Sequence, residues 1–76
     1  MPRALLETIC ADLAATLEAK RRHLTALTAS VEQYLAGCDP QRLDAARRDL
    51  SLLRDLNQVT TGLLFAADAA LTRLTT

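Results

Sequence analysis

Aromatic residues and helix breakers are scarce in this chain. Phe and Tyr occur once each, Trp does not occur, and there are only two glycines and two prolines among 76 residues. Leu and Ala together supply 30 residues, whereas the β-branched apolar residues are Ile9, Val31 and Val59 alone. This composition disfavours a β-sheet and is typical of long helices. The sequence therefore predicts an all-α chain.

The chain also has no excess of charge of either sign. Nine Lys and Arg residues balance nine Asp and Glu residues, and the balance holds separately in the two halves of the sequence. A nucleic-acid-binding protein uses a basic face, and a helix that lies on a membrane uses an excess of Lys and Arg. We therefore expect no nucleic-acid partner and no membrane insertion. The longest nearly apolar stretch, residues 59–71, is also too short to span a bilayer.

Side chains that carry catalysis or bind metals are few. His23 lies beside Arg21 and Arg22, on what the periodicity predicts to be a solvated helix face. Cys10 is expected to pack between helices and Cys38 to lie exposed in a turn, about 40 Å away, too far for a disulfide. With no signal-peptide pattern ahead of them, we expect reduced thiols in a cytoplasmic protein. The inventory predicts a chain that is not an enzyme and holds no metal or cofactor.

One cluster of helix breakers, at residues 37–40, divides the chain near its midpoint. Gly37 is predicted to end the first helix in the left-handed conformation. Asp39 can accept hydrogen bonds from the free amides of the next helix, and Pro40 suits its first position. The predicted bounds are about residues 3–36 for the first helix, 37–40 for the turn and about 40–74 for the second helix, within one domain over residues 1–76. The expected fold is an antiparallel two-helix hairpin.

Alternating spacings of three and four residues select one mainly apolar stripe on each helix. The stripes are Leu6, Cys10, Leu13, Leu17, Lys20, Leu24, Leu27, Val31 and Tyr34, and then Leu43, Ala46, Leu50, Leu53, Asn57, Thr60, Leu64, Ala67, Leu71 and Leu74. Folding the chain at the turn pairs the stripes as in a coiled coil. This pairing brings the polar exceptions Lys20 and Asn57 into one layer, which we expect to fix the register.

The second helix has a further apolar stripe that the first helix cannot cover. It lies about 80–100° around the helix from the first stripe, and exposed apolar patches of this kind mark interfaces. Phe65 projects beside it from the polar side of the helix, and we interpret this ring as a contact at the edge of the interface. The predicted partner-binding residues are Leu52, Leu56, Val59, Leu63, Phe65 and Ala66. The partner is a second protein or another copy that completes a helical bundle.

The turn and the helix after it carry a family resemblance. The segment is Leu35-Ala36-Gly37-Cys38-Asp39-Pro40-Gln41-Arg42-Leu43, followed by Leu52-Leu53 and Val59. In layout, over about residues 17–64, the chain resembles the YscE-type needle-subunit co-chaperones of bacterial type III secretion systems. Leu43 stands where that family usually has an aromatic residue, and Leu52-Leu53-Arg54 replaces an Ala-Leu-Glu-like segment.

The resemblance implies a small cytoplasmic protein that binds a second, repeat-type chaperone. The pair would then shield an aggregation-prone needle subunit before export. The alternative that the residues leave open is a homodimeric four-helix bundle, acting as a scaffold or dimerisation module with no chaperone role.

Overall fold

Two long helices and a tight turn make up the described chain. The computed structural model describes residues 2–75 and places α1 at Pro2–Gly37 and α2 at Pro40–Thr75, with 36 residues in each. The helices pack against each other as an antiparallel hairpin, and no strand occurs among the described residues. The predicted all-α hairpin is confirmed, with helix bounds within one or two residues of those expected. The predicted domain also includes Met1 and Thr76, which lie outside the described residues.

The start of α2 has the predicted cap. The Gln41 amide donates to Asp39 Oδ1 at 2.9 Å, and the Arg42 amide donates to the Asp39 carbonyl oxygen at 3.0 Å. These two bonds satisfy amides that have no partner within the helix. Pro40 occupies the first helical position, where its missing amide costs nothing.

The left-handed residue of the turn is Cys38, so the prediction for Gly37 is wrong. Cys38 has a φ of 55°, whereas Gly37 is the last residue of α1 and has no positive φ. The Cys38 amide donates to the Tyr34 carbonyl oxygen at 2.6 Å, which extends the helical bonding to the edge of the turn. A side chain with a Cβ in this region of φ costs roughly 1–2 kcal/mol relative to a favoured conformation.

Cys38→Gly is therefore expected to raise the free energy of unfolding by about 1 kcal/mol, because glycine adopts the left-handed conformation without that cost. Gly37→Ala is the matched control. A Cβ at Gly37 would meet nothing within 4 Å, so this change should be neutral or stabilising. Urea denaturation compares the two variants with the parent chain. A destabilised Gly37→Ala beside an unchanged Cys38→Gly would contradict the turn geometry.

The hairpin is a rod with very little interior. It measures 58 × 15 × 12 Å and has a radius of gyration of 17.1 Å, against about 11 Å for a compact chain of this length. Its accessible surface is 5755 Å², whereas a compact monomer of this mass exposes about 4,600 Å². Among the described residues no large side chain is fully buried, and the buried apolar residues are Ile9, Ala46 and Ala70. The hairpin thus leaves uncovered much of the apolar surface that usually stabilises a fold.

Candidate partner interface

The contact between the helices, here called the hairpin seam, is more polar than the sequence predicts. Its buried and half-buried members are Leu6, Ile9, Leu13, Thr16, Lys20, His23, Leu27, Ser30 and Tyr34 on α1, and Leu43, Ala46, Asp49, Leu53, Leu56, Thr60, Leu63, Ala67 and Ala70 on α2, with Ala19 and Ala45 half-buried at its borders. About half of each predicted stripe is present. The other half is wrong by one residue, so that Ile9 replaces Cys10, His23 replaces Leu24 and Leu63 replaces Leu64. Cys10 is exposed rather than packed, and the thiols of Cys10 and Cys38 are both free.

Lys20 pairs with Thr60 and not with Asn57. Lys20 Nζ donates to Thr60 Oγ1 at 3.4 Å across the seam, and Thr60 Oγ1 donates to the Leu56 carbonyl oxygen at 2.9 Å. Lys20 and Thr60 are half-buried, whereas Asn57 is exposed. The predicted Lys20–Asn57 layer is wrong because α2 packs against α1 through a face different from the predicted stripe.

His23 forms a further polar contact across the seam, and sequence reasoning missed it. Its Nδ1 lies 3.0 Å from Asp49 Oδ1, and the two side chains are 34% and 17% exposed. A carboxylate oxygen accepts, so the contact is a hydrogen bond in the ring tautomer that carries a proton on Nδ1. The interpretation of His23 as a residue on a solvated face is therefore wrong. A partly exposed pair of this kind adds only about 0–1 kcal/mol of stability, but it helps to set which faces meet.

A continuous apolar surface lies along one side of the seam. We call it the leucine face, and it consists of Leu17, Leu24 and Val31 on α1 and Leu50, Leu64 and Leu71 on α2, with Cys10 and Asn57 in the same two rows. Each of these residues directly follows a seam residue, and in an antiparallel pair of right-handed helices such positions share one side. The six aliphatic side chains are between 40% and 61% exposed. The sequence interpretation had placed them between the two helices.

A second apolar surface lies on the opposite side of the seam. We call it the alanine groove, and it consists of Leu5, Ala19 and Ala26 on α1 and Leu52, Val59 and Ala66 on α2, with the exposed Asp12 in the same α1 row between Leu5 and Ala19. Each of these residues directly precedes a seam residue, which places it on the other side from the leucine face. Leu5, Leu52 and Val59 are between 43% and 50% exposed. The small alanines between them let another helix approach the backbone closely.

The six predicted partner-binding residues are split among three places. Leu52, Val59 and Ala66 lie exposed in the alanine groove. Leu56 and Leu63 are half-buried in the hairpin seam, so the expectation that the hairpin leaves them uncovered is wrong. Phe65 is 78% exposed and lies on the back of α2, away from α1 and from both apolar surfaces.

The charged and polar outer surface contains shallow hollows. Two of these depressions hold about 240 and 410 Å³, and both are lined by neighbouring residues of α1. Between Pro2 and Thr75 no three His, Cys, Asp or Glu side chains lie close enough together to hold a metal ion. Neither described helix has a stretch long and apolar enough to cross a membrane.

The chain has been compared with known protein families, curated proteins and solved structures. Neither the family models, nor the curated proteins, nor the solved structures gave a match to this chain. The exposed apolar side chains of the leucine face and the alanine groove are therefore the main evidence for function.

Proposed function

We propose that the chain is an interaction protein, a cytoplasmic co-chaperone that binds a second chaperone and helps to hold a needle-type secreted subunit soluble before type III export. The observation that carries this proposal is the alanine groove. Leu5, Leu52 and Val59 offer exposed apolar area along both helices, and alanines on both walls leave room for a partner helix. Amphipathic helices bind in grooves of this kind through apolar side chains one turn apart.

Two other features support a protein as the partner rather than a nucleic acid or a membrane. The neutral charge gives no field for a nucleic acid or an anionic membrane. The turn segment from Leu35 to Leu43 resembles that of the YscE-type co-chaperones, and that resemblance supplies the identity of the proposed partners.

Leu52→Glu combined with Val59→Glu is expected to abolish partner binding, because it places two charges where the partner's apolar side chains must pack. Ser51→Glu combined with Gln58→Glu is the matched control, since these residues lie one position away on the exposed back of α2. The tagged chain is co-expressed with the repeat-type chaperone and the needle subunit of the source cell. We measure whether the chaperone co-purifies and how much subunit stays soluble.

The proposal predicts that the parent chain and the Ser51/Gln58 variant capture the chaperone and keep the subunit soluble, and that the Leu52/Val59 variant does neither. A parent chain that captures no chaperone contradicts it. A homo-oligomer that leaves subunit solubility unchanged would instead favour the alternative of a homodimeric scaffold.

A further inference from the structure

The apolar arc of each helix is centred to one side of the hairpin seam. On α1 the arc includes seam residues such as Leu13 and Leu27 and continues onto Leu17 and Leu24 of the leucine face. At the 3.5-residue period of a coiled coil, its centre lies about 50° from the centre of the seam, and the same holds for α2. In a four-helix bundle each helix contacts two neighbours about 90° apart, and its apolar arc points between them. Both helices thus have the geometry of bundle members whose second neighbour would lie on the leucine face.

We propose that this neighbour is a second copy of the chain, stacked on the leucine face with each helix antiparallel to its own copy. The twofold axis between the copies crosses the middle of the face, beside Asn57. This inference does not rest on the proposed function, because the heterologous partner is assigned to the alanine groove on the other side of the hairpin.

Asn57 indicates the position of the axis. It is the one polar residue in the α2 row of the leucine face and lies between Leu50 and Leu64 in that row. An axis at this point pairs Asn57 with Asn57 of the second copy, so that neither amide lies opposite a leucine. A single asparagine fixes register in coiled coils for this reason. The same axis places Leu50 over Leu64 of the second copy.

The α1 row agrees with the same axis. The Lys20–Thr60 and His23–Asp49 contacts set the level of α1 against α2, and they place the centre of the α1 row close to the level of Asn57. The axis therefore pairs Leu17 with Leu24 of the second copy. The two central leucines of α1 then cover each other.

Charges at the edge of the leucine face fit this arrangement. Arg47 and Arg54 lie along the outer edge of α2 towards the turn, and Asp68 lies on the same edge towards the other end of the helix. Antiparallel stacking brings Arg47 of one copy to Asp68 of the other. Arg21 lies near the axis, so the two copies of this residue come close together. The positive charge of each Arg21 is already paired with Glu18 of the same chain, at 3.2 Å.

The available area is sufficient for a stable dimer. The leucine face is roughly 30 Å long and 20 Å wide, or about 600 Å² in outline, for two helices about 10 Å apart. The hairpin exposes 5755 Å², roughly 1,200 Å² more than a compact monomer of its mass. A standard interface buries about 800 Å² on each partner. Two faces of about 600 Å² bury roughly 1,200 Å² in total, at the lower end of the range for specific interfaces, and a second copy covers about half of the excess on each hairpin.

The first test is the oligomeric state of the purified chain. Sedimentation equilibrium should give twice the chain mass of 8.3 kDa. Leu17→Glu with Leu64→Glu should weaken dimerisation by about 100-fold or more, since the interface would bury four unpaired carboxylates. Leu52→Glu with Val59→Glu, in the alanine groove, should remain dimeric. A monomeric parent chain at tens of micromolar, or a Leu17/Leu64 variant that is still dimeric, overturns the proposal.

The second test does not depend on the glutamate variant folding. In a chain with Cys10→Ser and Cys38→Ser, Asn57→Cys should oxidise readily to a disulfide-linked dimer that keeps the helicity of the parent. Gln58→Cys, one residue further on the exposed back of α2, should link at least 10-fold more slowly. Equal linking rates at the two positions, or a parent dimer in which position 57 does not link, would overturn the antiparallel stacking through Asn57.

Discussion

Leu56→Glu combined with Leu63→Glu is expected to unfold the hairpin. Both leucines are half-buried in the hairpin seam, and the chain has few other buried apolar residues to compensate. Two carboxylates forced against α1 would cost several kcal/mol, a large part of the total stability of a small domain. We expect loss of most of the helical circular dichroism signal at 25 °C and no cooperative urea transition.

Leu52→Glu with Val59→Glu is the control for this variant, because it adds the same charge to α2 at exposed positions. Each of these positions lies four residues before one of the two seam leucines. The control should keep its helical signal. The stripes predicted from the sequence place Leu56 and Leu63 on the outside of the hairpin. They therefore predict that the Leu56/Leu63 variant stays folded and loses only its partner. A Leu56/Leu63 variant with parental helicity and an unchanged urea midpoint would therefore contradict the seam described here.

Lys20→Leu combined with Thr60→Leu is expected to raise the free energy of unfolding by about 2 kcal/mol. The two residues meet in the seam through one hydrogen bond of 3.4 Å, and both are half-buried. Replacing polar groups at such a contact with packed leucines is often stabilising. Lys20→Leu combined with Gln58→Leu is the control, since Gln58 is exposed on the back of α2 and its new side chain should gain little.

Urea denaturation at one fixed chain concentration compares these variants, because dimerisation makes stability depend on concentration. A Lys20/Thr60 variant no more stable than its control would mean that the two positions do not face each other.

The sequence was sufficient for the fold class, the turn and the helix bounds. The breaker cluster at residues 37–40 is the only one in the interior of the chain, and Asp39 and Pro40 cap α2 as their chemistry requires. Only the left-handed position was misplaced, by one residue. Local signals of this kind act within a single turn of backbone, so they can be interpreted without knowing what packs against the helix.

The choice of face could not be made in the same way. From Leu6, Leu13 and Lys20, a step of four leads to Cys10, Leu17 and Leu24, whereas a step of three leads to Ile9, Thr16 and His23. The first series has more leucines, so the sequence pattern predicts it as the contact between the two helices. A count of this kind finds the centre of the apolar arc, but the seam lies to one side of that centre because the arc is wider than one neighbouring helix can cover. His23 and Asp49, as complementary polar residues in the second series, were the available signal for the actual seam.

The expectation that Leu56 and Leu63 are uncovered had the same error for the same reason. Leu56 and Leu63 were assigned to the outside because Leu64 had been assigned to the inside. Leu52 and Val59 lie far enough from both series to be exposed in either case, and the structure leaves them accessible, together with Phe65 and Ala66. With the leucine face on the other side, the hairpin offers two apolar surfaces that two partners can occupy at once.

The most direct test of this account is a set of nuclear Overhauser contacts from the His23 ring protons, measured with mixed isotope labelling to separate contacts within one chain from contacts between copies. The account predicts intrachain contacts from the His23 ring to Asp49 and Leu53, with the methyl groups of Leu24 making none to Leu53 of their own chain. If the ring contacts only residues of α1 and the Leu24 methyl groups contact Leu53 within the same chain, the hairpin seam is wrong, and with it the assignment of the leucine face and the alanine groove.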